Sequence, residues 1–216
     1  GGNNAVGVLF SFTIAGAVYN GLHHFDNTGG YSSFGRIISG ADGFLYGTTN
    51  QGGAGGDGVI FRFDAATNTY TTLFDLATAG IGSPWGGLLE DGNGTLNGLC
   101  NVGGAGQNGA LFRYTIASSA LNVALPFNYS NGAGPGGRLL RHTNGTYYGV
   151  ANSGGSASLG VLFSYDALSN TYTLRKNLGG ADGANPLGTL CESGGKLYGT
   201  CSEAGTLAGG TIFEFD

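Results

Sequence analysis

The sequence predicts an all-β protein, specifically a four-bladed β-propeller built from four-stranded repeats of about 51 residues. Three observations lead to this prediction: a six-residue phrase that recurs five times, strand-length segments joined by tight turns, and aromatic residues that alternate along one strand of each repeat. A fixed period of this length is typical of repeat architectures, in which each unit buries its faces against its neighbours. The sequence therefore indicates how the protein is built more clearly than what it does.

The recurring phrase consists of a glycine, two small or aliphatic residues, a phenylalanine, a variable polar residue and a final Phe or Tyr. Its leading glycines lie 51, 51, 51 and 50 residues apart, at Gly7, Gly58, Gly109, Gly160 and Gly210. In the second copy, Val59, Phe61 and Phe63 alternate with Ile60 and Arg62, which places the aromatic rings on one face of a strand. We therefore expect a ladder of aromatic residues that packs between repeats.

Each repeat contains four segments of strand length, which we label A to D. In the first complete repeat, they are segment A at 35–39, B at 44–49, C at 59–63 and D at 70–74. Their lengths are typical of strands, and Asn-Gly and Gly-Gly pairs supply the positive φ angles that tight hairpins need. Aspartates recur at the turns, where we expect them to accept backbone N–H hydrogen bonds: Asp42, Asp64, Asp91, Asp166 and Asp182. No segment has helical periodicity.

The chain is predicted to form a single repeat domain over residues 1–216. It divides into a partial unit at 1–29, repeats at 30–80, 81–131 and 132–182, and a partial unit at 183–216 that closes with the N-terminal strands. Segments A, B and D occur four times and segment C five times, which makes seventeen strands where a four-bladed ring uses sixteen. We expect segments A to C at 187–215 to pair with an N-terminal D strand at 17–25. An open solenoid of the same units is the alternative.

One C strand is then surplus, either the copy at 7–12 or the copy at 210–215. An unpaired strand at a sheet edge is a template for pairing with another chain. We therefore expect copies of the protein to assemble head to tail through one of these strands. The residues expected to carry the assembly are Val8, Phe10, Phe12, Thr211, Phe213 and Phe215.

Composition excludes several classes of function. The net charge is −5 and only 10% of the residues are charged, so the Lys/Arg cluster that nucleic-acid binding requires is missing and no nucleic-acid partner is expected. The apolar runs are too short for a membrane span, and no membrane insertion is expected. The 46 glycines, the scarcity of lysine and the lack of methionine favour an exported, processed protein that is extracellular or attached to the cell surface.

The repeats resemble a known family, the GloVer-type tandem repeat found in "choice-of-anchor" surface proteins. The motifs that carry the resemblance are Leu-Tyr-Gly-Thr-Thr at 45–49 with the phrase at 58–64, the phrase at 160–166 with Thr-Tyr-Thr at 171–173, and Leu-Tyr-Gly-Thr at 197–200 with 211–216. The resemblance covers nearly the whole chain. It implies an exported bacterial protein with propeller-like repeats and carries over no catalytic residues.

Candidate chemistry in the sequence is sparse, so we predict no catalytic residues, no metal site and no cofactor. His23 and His24 are adjacent on a predicted strand and point to opposite faces, which disfavours a shared metal. Glu90 and Glu192 are the only candidates for a paired acid and base of a polysaccharide-active enzyme, across neighbouring A-strand ends.

The three cysteines, Cys100, Cys191 and Cys201, do not form a disulfide framework. The odd count leaves at least one thiol free. The sequence favours small, half-buried strand residues, and a bridge between Cys191 and Cys201 within one hairpin is the alternative.

Three tyrosines, Tyr46, Tyr148 and Tyr198, share one repeat position and, together with Trp85, are candidates for a surface that binds sugars or peptides. The alternative is that they simply pack on their strands. The sequence as a whole favours a non-enzymatic extracellular structural or adhesive module whose partners are copies of itself. A glycan-binding, lectin-like propeller that binds surface glycans is the alternative, and an enzyme is the third hypothesis.

Overall fold

The computed structural model describes residues 2–3 and 5–216, and strands dominate it. The first element is an antiparallel hairpin of β1 (Val8–Thr13) and β2 (Val18–His24), joined by a 3-10 turn at Ile14–Gly16. These strands correspond to segments C and D of the N-terminal partial unit. Together they form a sheet of two strands only.

Three antiparallel sheets follow, each with its strands in the order A, B, C, D. Unit 1 (residues 30–80) contains β3 (Ile38–Ser39), β4 (Leu45–Thr48), β5 (Val59–Asp64) and β6 (Thr69–Asp75). Unit 2 (81–131) contains β7 (Ile81–Gly82), β8 (Leu89–Glu90), β9 (Thr95–Cys100), β10 (Val102–Gly103), β11 (Ala110–Thr115) and β12 (Ala120–Pro126). Unit 3 (132–182) contains β13 (Ala133–Arg141), β14 (Tyr147–Ser153), β15 (Val161–Asp166) and β16 (Thr171–Asn177). The predicted all-β class with antiparallel sheets is confirmed.

Short elements complete these units. The strands β7 and β10 form a separate two-stranded ladder within unit 2. Two further 3-10 turns, at Leu76–Ala79 and Gly180–Asp182, lie after the D strands of units 1 and 3. The D-to-A links are therefore folded connections, and Leu76 and Ile81 in the first of them are buried in the core.

Unit 4 (183–216) has no D strand of its own. Its first segment is divided into β17 (Ala184–Pro186) and β18 (Cys191–Ser193), which both pair with β19 (Lys196–Glu203). The last strand, β20 (Thr211–Phe215), pairs with the other side of β19. The sheet therefore ends on a C strand.

The strand pairing predicted to close a four-bladed ring is not found among the described residues. We expected the D strand at 17–25 to pair with the C-terminal segments, but β2 pairs with β1, and no ladder joins β2 to β20 in the residues that the structure describes. The strands β1 and β20 carry equivalent sequences, so the sequence allows either of them to pair with β2. The turn between β1 and β2 makes their pairing local, and a local pairing costs less loop-closure entropy than one that spans the chain.

The core repeats one contact from unit to unit. The third residue of the phrase, always Leu or Ile, is the aliphatic position, and the fourth and sixth residues are the aromatic positions. The aliphatic position of each unit is buried with the aromatic positions of the next, so the aromatic ladder predicted from the sequence packs against an aliphatic row. The pairs are Leu9 with Phe61 and Phe63, Ile60 with Phe112 and Tyr114, Leu111 with Phe163 and Tyr165, and Leu162 with Phe213.

A glycine in each B strand makes room for the first of these rings. Gly149, for example, lies directly opposite Phe163 in the ladder between β14 and β15, and a Cβ atom on Gly149 would lie 2.6 Å from the Phe163 Cζ atom. Real Cβ atoms do not approach another atom so closely. The Leu-Tyr-Gly motif therefore has a packing cause, because the aromatic ring lies across a bare backbone.

The turns between strands C and D of units 1 and 3 are held by their first aspartate, as predicted. The Asp64 carboxylate accepts the Ala66 backbone N–H at 2.8 Å, and the Asp166 carboxylate accepts the Leu168 N–H at 2.9 Å. Hydrogen bonds to the charged form lower the pKa of both carboxyls, with Thr67 contributing most at Asp64 and Leu168 most at Asp166.

At the A–B turns, Asp42 and Asp91 accept backbone N–H groups in the same way. Asp182 differs, since its carboxylate accepts a hydrogen bond from the Lys176 Nζ atom at 3.0 Å. The turn-capping prediction is thus confirmed for the aspartates at hairpin turns, while Asp182 lies in a D-to-A link and forms an ion pair there.

All three cysteines are free thiols, so the bridge between Cys191 and Cys201 is not formed. Cys191 is exposed, whereas Cys201 is buried against unit 3. Their positions diverge because Cys191 pairs with Tyr198 across the hairpin, three residues before Cys201. Desolvation raises the pKa of the buried Cys100 thiol, which packs in the core as a small apolar residue.

Candidate functional site

The main candidate site is a cavity of about 600 Å³ where the four units meet. We call it the axial cavity. Each unit contributes three consecutive residues from the start of its A segment, and the stretches are 34–36, 85–87, 136–138 and 187–189. Asn101 and Asn152, at one shared repeat position near the ends of the B strands of units 2 and 3, complete the lining. Residues at one repeated sequence position therefore lie close together in space around this cavity.

Glycine at the middle of each stretch allows the units to approach this closely. A Cβ atom on Gly86 would overlap the carbonyl oxygen of Gly137, and one on Gly137 would lie 2.7 Å from the carbonyl oxygen of Gly188. The backbones of neighbouring units therefore touch at the axis. The two residues that flank each glycine vary from unit to unit, and they give the cavity its chemistry.

The first flanking position supplies an exposed aromatic pair. The rings of Phe34 and Trp85 are stacked, with their centroids 5.5 Å apart and an angle of 25° between their planes. Phe34 is 62% exposed and Trp85 is 56% exposed. Leu187, at the same position in unit 4, is also exposed. Large apolar side chains of this kind, gathered in a concave site, are typical of ligand-binding surfaces.

The second flanking position supplies two positive charges. Arg36 and Arg138 line the cavity, while Asp and Glu are absent from its lining. Within residues 2–3 and 5–216, neither guanidinium takes part in an ion pair or a side-chain hydrogen bond, and the Arg138 backbone N–H donates to the Thr189 hydroxyl oxygen at 3.0 Å. In a chain with a net charge of −5, two unpaired arginines at one cavity form a distinct local environment.

The structure brings Trp85 into this cavity but places the predicted tyrosines elsewhere. Tyr46 is buried, and its hydroxyl donates to the Asp42 carboxylate at 2.6 Å. Tyr148 is half-buried beside His142, and Tyr198 is half-buried beside Glu214, whose hydrogen bond raises the pKa of the Tyr198 hydroxyl. The three tyrosines therefore do not meet around one surface, and the buried Tyr46 presents no ring face to solvent.

Sequence reasoning missed Phe34, Arg36 and Arg138. Their signal is present in the repeat, because the residues on either side of an unvarying glycine change from unit to unit: Phe34, Trp85, Gly136 and Leu187 before it, and Arg36, Gly87, Arg138 and Thr189 after it. Only the arrangement of the units reveals that they share one cavity.

The terminal strands form a second candidate site. On β1, Phe10 is 56% exposed and Phe12 is 54% exposed, whereas the corresponding residues of the internal units are buried. On β20 the opposite face is open: Ile212 is 80% exposed, whereas Ile60, Leu111 and Leu162 are fully buried. The chain thus exposes an aromatic face at its N-terminal strand and an aliphatic face at its C-terminal strand.

The other residues predicted for assembly flank these faces. Val8 and Thr211 are half-buried at the start of their strands. Phe213 is buried against unit 3, and Phe215 is partly buried beside it, since the aromatic face of β20 is covered by the aliphatic position of that unit. Of the two C strands considered surplus, β1 therefore exposes its aromatic rings and β20 exposes Ile212.

The candidate acid and base are not brought together. The Glu90 carboxylate accepts the backbone N–H of Ala41 in unit 1 at 3.0 Å, and the Glu192 carboxylate lies 3.3 Å from the His142 Nε2 atom in unit 3. Unit 3 separates the two glutamates, so the expectation that they lie on neighbouring A strands is wrong. Each of them bridges to the unit that precedes it.

The described residues offer neither a metal-binding cluster nor a membrane-spanning helix. The described residues contain no group of three or more His, Cys, Asp and Glu side chains that could hold a metal ion. His23 stacks on Tyr70 at 3.8 Å, whereas the exposed His24 accepts the Asn3 backbone N–H at 3.0 Å. Residues 2–3 and 5–216 also include no helix with the length and hydrophobicity of a membrane span.

Solved structures similar to this chain are bacterial proteins with low sequence identity. TolB from Acinetobacter baumannii shares 12% identity with a TM-score of 0.52, over 89% of this chain and 45% of TolB. Two structures of the extracellular domain of BT4673 from B. thetaiotaomicron share 12% identity, with TM-scores of 0.59 and 0.60, over 97% of this chain and 25% of theirs. The chain spans less than half the length of these structures, and the likeness shows a shared fold. No curated protein matches the sequence.

The repeat itself gives the family. The resemblance found in the Leu-Tyr-Gly-Thr motifs and the recurring phrase is confirmed, because the model of the Gloeobacter/Verrucomicrobia repeat matches residues 1–216. This chain belongs to the Gloeobacter/Verrucomicrobia repeat family.

Proposed function

We propose that this chain is a non-enzymatic, extracellular structural or adhesive module that assembles head to tail with further copies of itself. The observation that carries the proposal is the pair of open faces, aromatic on β1 and aliphatic on β20. Inside the chain, these same two faces meet at four successive contacts between units. A fifth contact of the same kind would join Ile212 of one copy to Phe10 and Phe12 of the next.

The extracellular location is supported by the composition and by the likeness to the BT4673 extracellular domain. The head-to-tail mode is supported by the contacts inside the chain, where an aliphatic face always meets an aromatic face of the next unit. A contact between two different faces produces closed rings if the rotation per copy closes and open filaments if it does not. In this proposal, contacts between copies either close a ring of several chains or leave an open filament. A four-bladed ring within one chain is not required.

Burial of an Ile or Phe side chain contributes roughly 1.5–3 kcal/mol, so a charge at Ile212 or Phe10 should abolish the contact. We expect the unmodified chain to increase in mass with concentration in light scattering, and Ile212→Glu and Phe10→Glu to remain monomeric. Leu168→Glu is the matched control, since Leu168 is fully exposed on a turn away from both faces.

A mixing experiment distinguishes this contact from non-specific association. Each of the two variants retains one intact face, so a mixture of Ile212→Glu and Phe10→Glu should form dimers and nothing larger. Electron micrographs of the unmodified chain should contain rings or filaments. An unmodified chain that stays monomeric at every concentration, or a Leu168→Glu variant that loses assembly equally, would refute the proposal.

A further inference from the structure

We infer that the axial cavity binds an acidic saccharide, with a sugar ring on the Phe34–Trp85 pair and a sugar carboxylate on Arg36 or Arg138. This inference is independent of the assembly proposal, because the cavity lies where the units meet and none of its lining residues is on β1 or β20. Three features of the lining select this class of ligand: its charge, its aromatic surface and its exposed backbone.

The charge of the cavity favours an anion. Arg36 and Arg138 occupy the same repeat position in units 1 and 3, and no carboxylate lines the cavity to neutralise them. Both lysines of the chain are already paired, Lys176 with Asp182 and Lys196 with Glu214. A guanidinium binds a carboxylate through two parallel hydrogen bonds, and it loses less hydration than an ammonium does.

The aromatic pair favours a ligand with a flat apolar face. Because Phe34 and Trp85 stack on one another and both remain more than half exposed, an open ring surface is available at the cavity. The C–H groups on one face of a pyranose ring carry partial positive charge and are attracted to the negative face of an aromatic ring. A flexible acidic peptide segment has no such rigid face and would lose more conformational entropy on binding.

The glycine-rich lining favours a ligand with many hydroxyl groups. Six of the fourteen lining residues are glycines, so backbone N–H and C=O groups are not covered by side chains. The amides of Asn101 and Asn152 add further donors and acceptors. Sugar hydroxyls both donate and accept hydrogen bonds, and a volume of about 600 Å³ is within the usual range for small-molecule sites.

Trp85 is the single tryptophan of the chain, so its fluorescence reports directly on the cavity. The experiment titrates the unmodified protein with a short oligogalacturonate and, separately, with a neutral galacto-oligosaccharide of the same length. We expect the acidic saccharide to change the Trp85 emission in a saturable way and to bind more weakly as salt is added. The neutral saccharide should bind at least about tenfold more weakly, since it lacks the charge-assisted hydrogen bonds.

Variants test the contributions of the arginine charges and of the aromatic rings to binding separately. Arg36→Gln and Arg138→Gln should each weaken oligogalacturonate binding, the residue that holds the carboxylate by about tenfold or more, and should leave the neutral saccharide unaffected. Arg141→Gln is the matched control, because Arg141 is exposed outside the cavity and donates to the Asp91 carbonyl oxygen at 2.9 Å. Phe34→Ala should weaken binding of both saccharides, and circular dichroism would confirm that each variant is folded.

Several outcomes would overturn the inference. They are an unchanged Trp85 emission with oligogalacturonate, equal binding of the acidic and neutral saccharides, binding that survives both arginine substitutions, and an equal response to acetate, which would indicate a simple anion site. A response to an acidic peptide without one to the saccharide would assign the cavity to a peptide partner. None of these results depends on assembly, so each can occur whether or not the terminal faces join copies.

Discussion

At the scale of single residues, the fold depends on places where glycine removes a side chain so that another group can take the space. In β14, Gly149 lies beneath the Phe163 ring, and at the axis Gly86 lies against the carbonyl oxygen of Gly137. The two glycines serve different purposes. Gly149 allows an aromatic ring to lie flat within one sheet, whereas Gly86 allows two units to approach each other.

We predict that Gly149→Ala destabilises the protein by about 1–3 kcal/mol, the usual cost of forcing an extra carbon into a packed core. The added Cβ would lie 2.6 Å from Phe163 Cζ and 3.2 Å from Leu139 Cδ2, both of them buried. Urea denaturation followed by circular dichroism would measure the change in unfolding free energy.

Gly209→Ala is the control, because a Cβ atom there meets nothing closer than the Leu207 carbonyl oxygen at 4.0 Å. Replacing a glycine whose backbone conformation tolerates alanine stabilises by about 0.4–1 kcal/mol through the unfolded chain. The two substitutions should therefore have opposite signs. If Gly149→Ala were as harmless as Gly209→Ala, the packing explanation of the Leu-Tyr-Gly motif would be wrong.

At the scale of elements, the period and the turn residues predict most of what is observed. The C strands, the B strands and the Asp-led turns all follow from the phrase and from the Asn-Gly and Asp-Gly pairs. The ladders between C and D strands contain a register shift after the third residue of the phrase, as between Ile60 and Phe61. The register shift depends on the backbone conformation. Any strand-forming residue could occupy this position, so the sequence carries no signal for the shift.

The sequence could not predict the pairing partner of β2, for a different reason. β1 and β20 offer it equivalent strands, and the choice between them is decided by loop-closure entropy and docking. In the structure, the β1–β2 hairpin packs on unit 1 through Leu9, through Phe25 against Phe61, and through His23 against Tyr70. Because this contact includes a histidine, we expect the docking of the hairpin to depend on pH.

We predict that the hairpin detaches from unit 1 as the solution is made mildly acidic. Desolvation lowers the pKa of His23, with His24 acting in the same direction and Asp26 opposing them. A histidine that is kept neutral by the fold contributes full stability above its unfolded pKa of about 6.5, and this contribution is lost as the pH falls through the lower folded value. Hydrogen exchange of β1 and β2, corrected for intrinsic rates, should show less protection at pH ~5 than at pH ~7.5.

His23→Phe retains the stacking on Tyr70 and removes the titration, so its protection should not depend on pH in this way. His24→Phe is the matched control, because His24 is exposed and has no stacking partner among the described residues. Loss of protection that persists in His23→Phe would show that another group drives the change.

At the scale of the whole molecule, one contact is used repeatedly, and stability should follow the number of such contacts. In a repeat protein each unit interacts only with its neighbours. A contact between units of one chain therefore contributes to its folding stability, whereas an exposed terminal face does not. The sequence predicted the repeat and the aromatic ladder. It could not predict the axial cavity, because Phe34, Arg36 and Arg138 come together only through the angle between successive units.

We predict that alanine substitutions at two equivalent repeat positions, Leu111 and Ile212, have different effects: one lowers folding stability and the other weakens assembly. Leu111→Ala should lower the unfolding free energy by about 2–5 kcal/mol, because Leu111 is fully buried against Phe163 and Tyr165 of unit 3. Ile212→Ala should change it by less than about 0.5 kcal/mol under conditions where the protein is monomeric, since Ile212 is mostly exposed. The effects on assembly should be ranked the other way. In light scattering at high concentration, Ile212→Ala should weaken assembly, whereas Leu111→Ala protein that is still folded should retain it. If Ile212→Ala destabilised the monomer as much as Leu111→Ala does, the C-terminal aliphatic face would be buried within one chain, and the contact proposed between copies would already be made inside it.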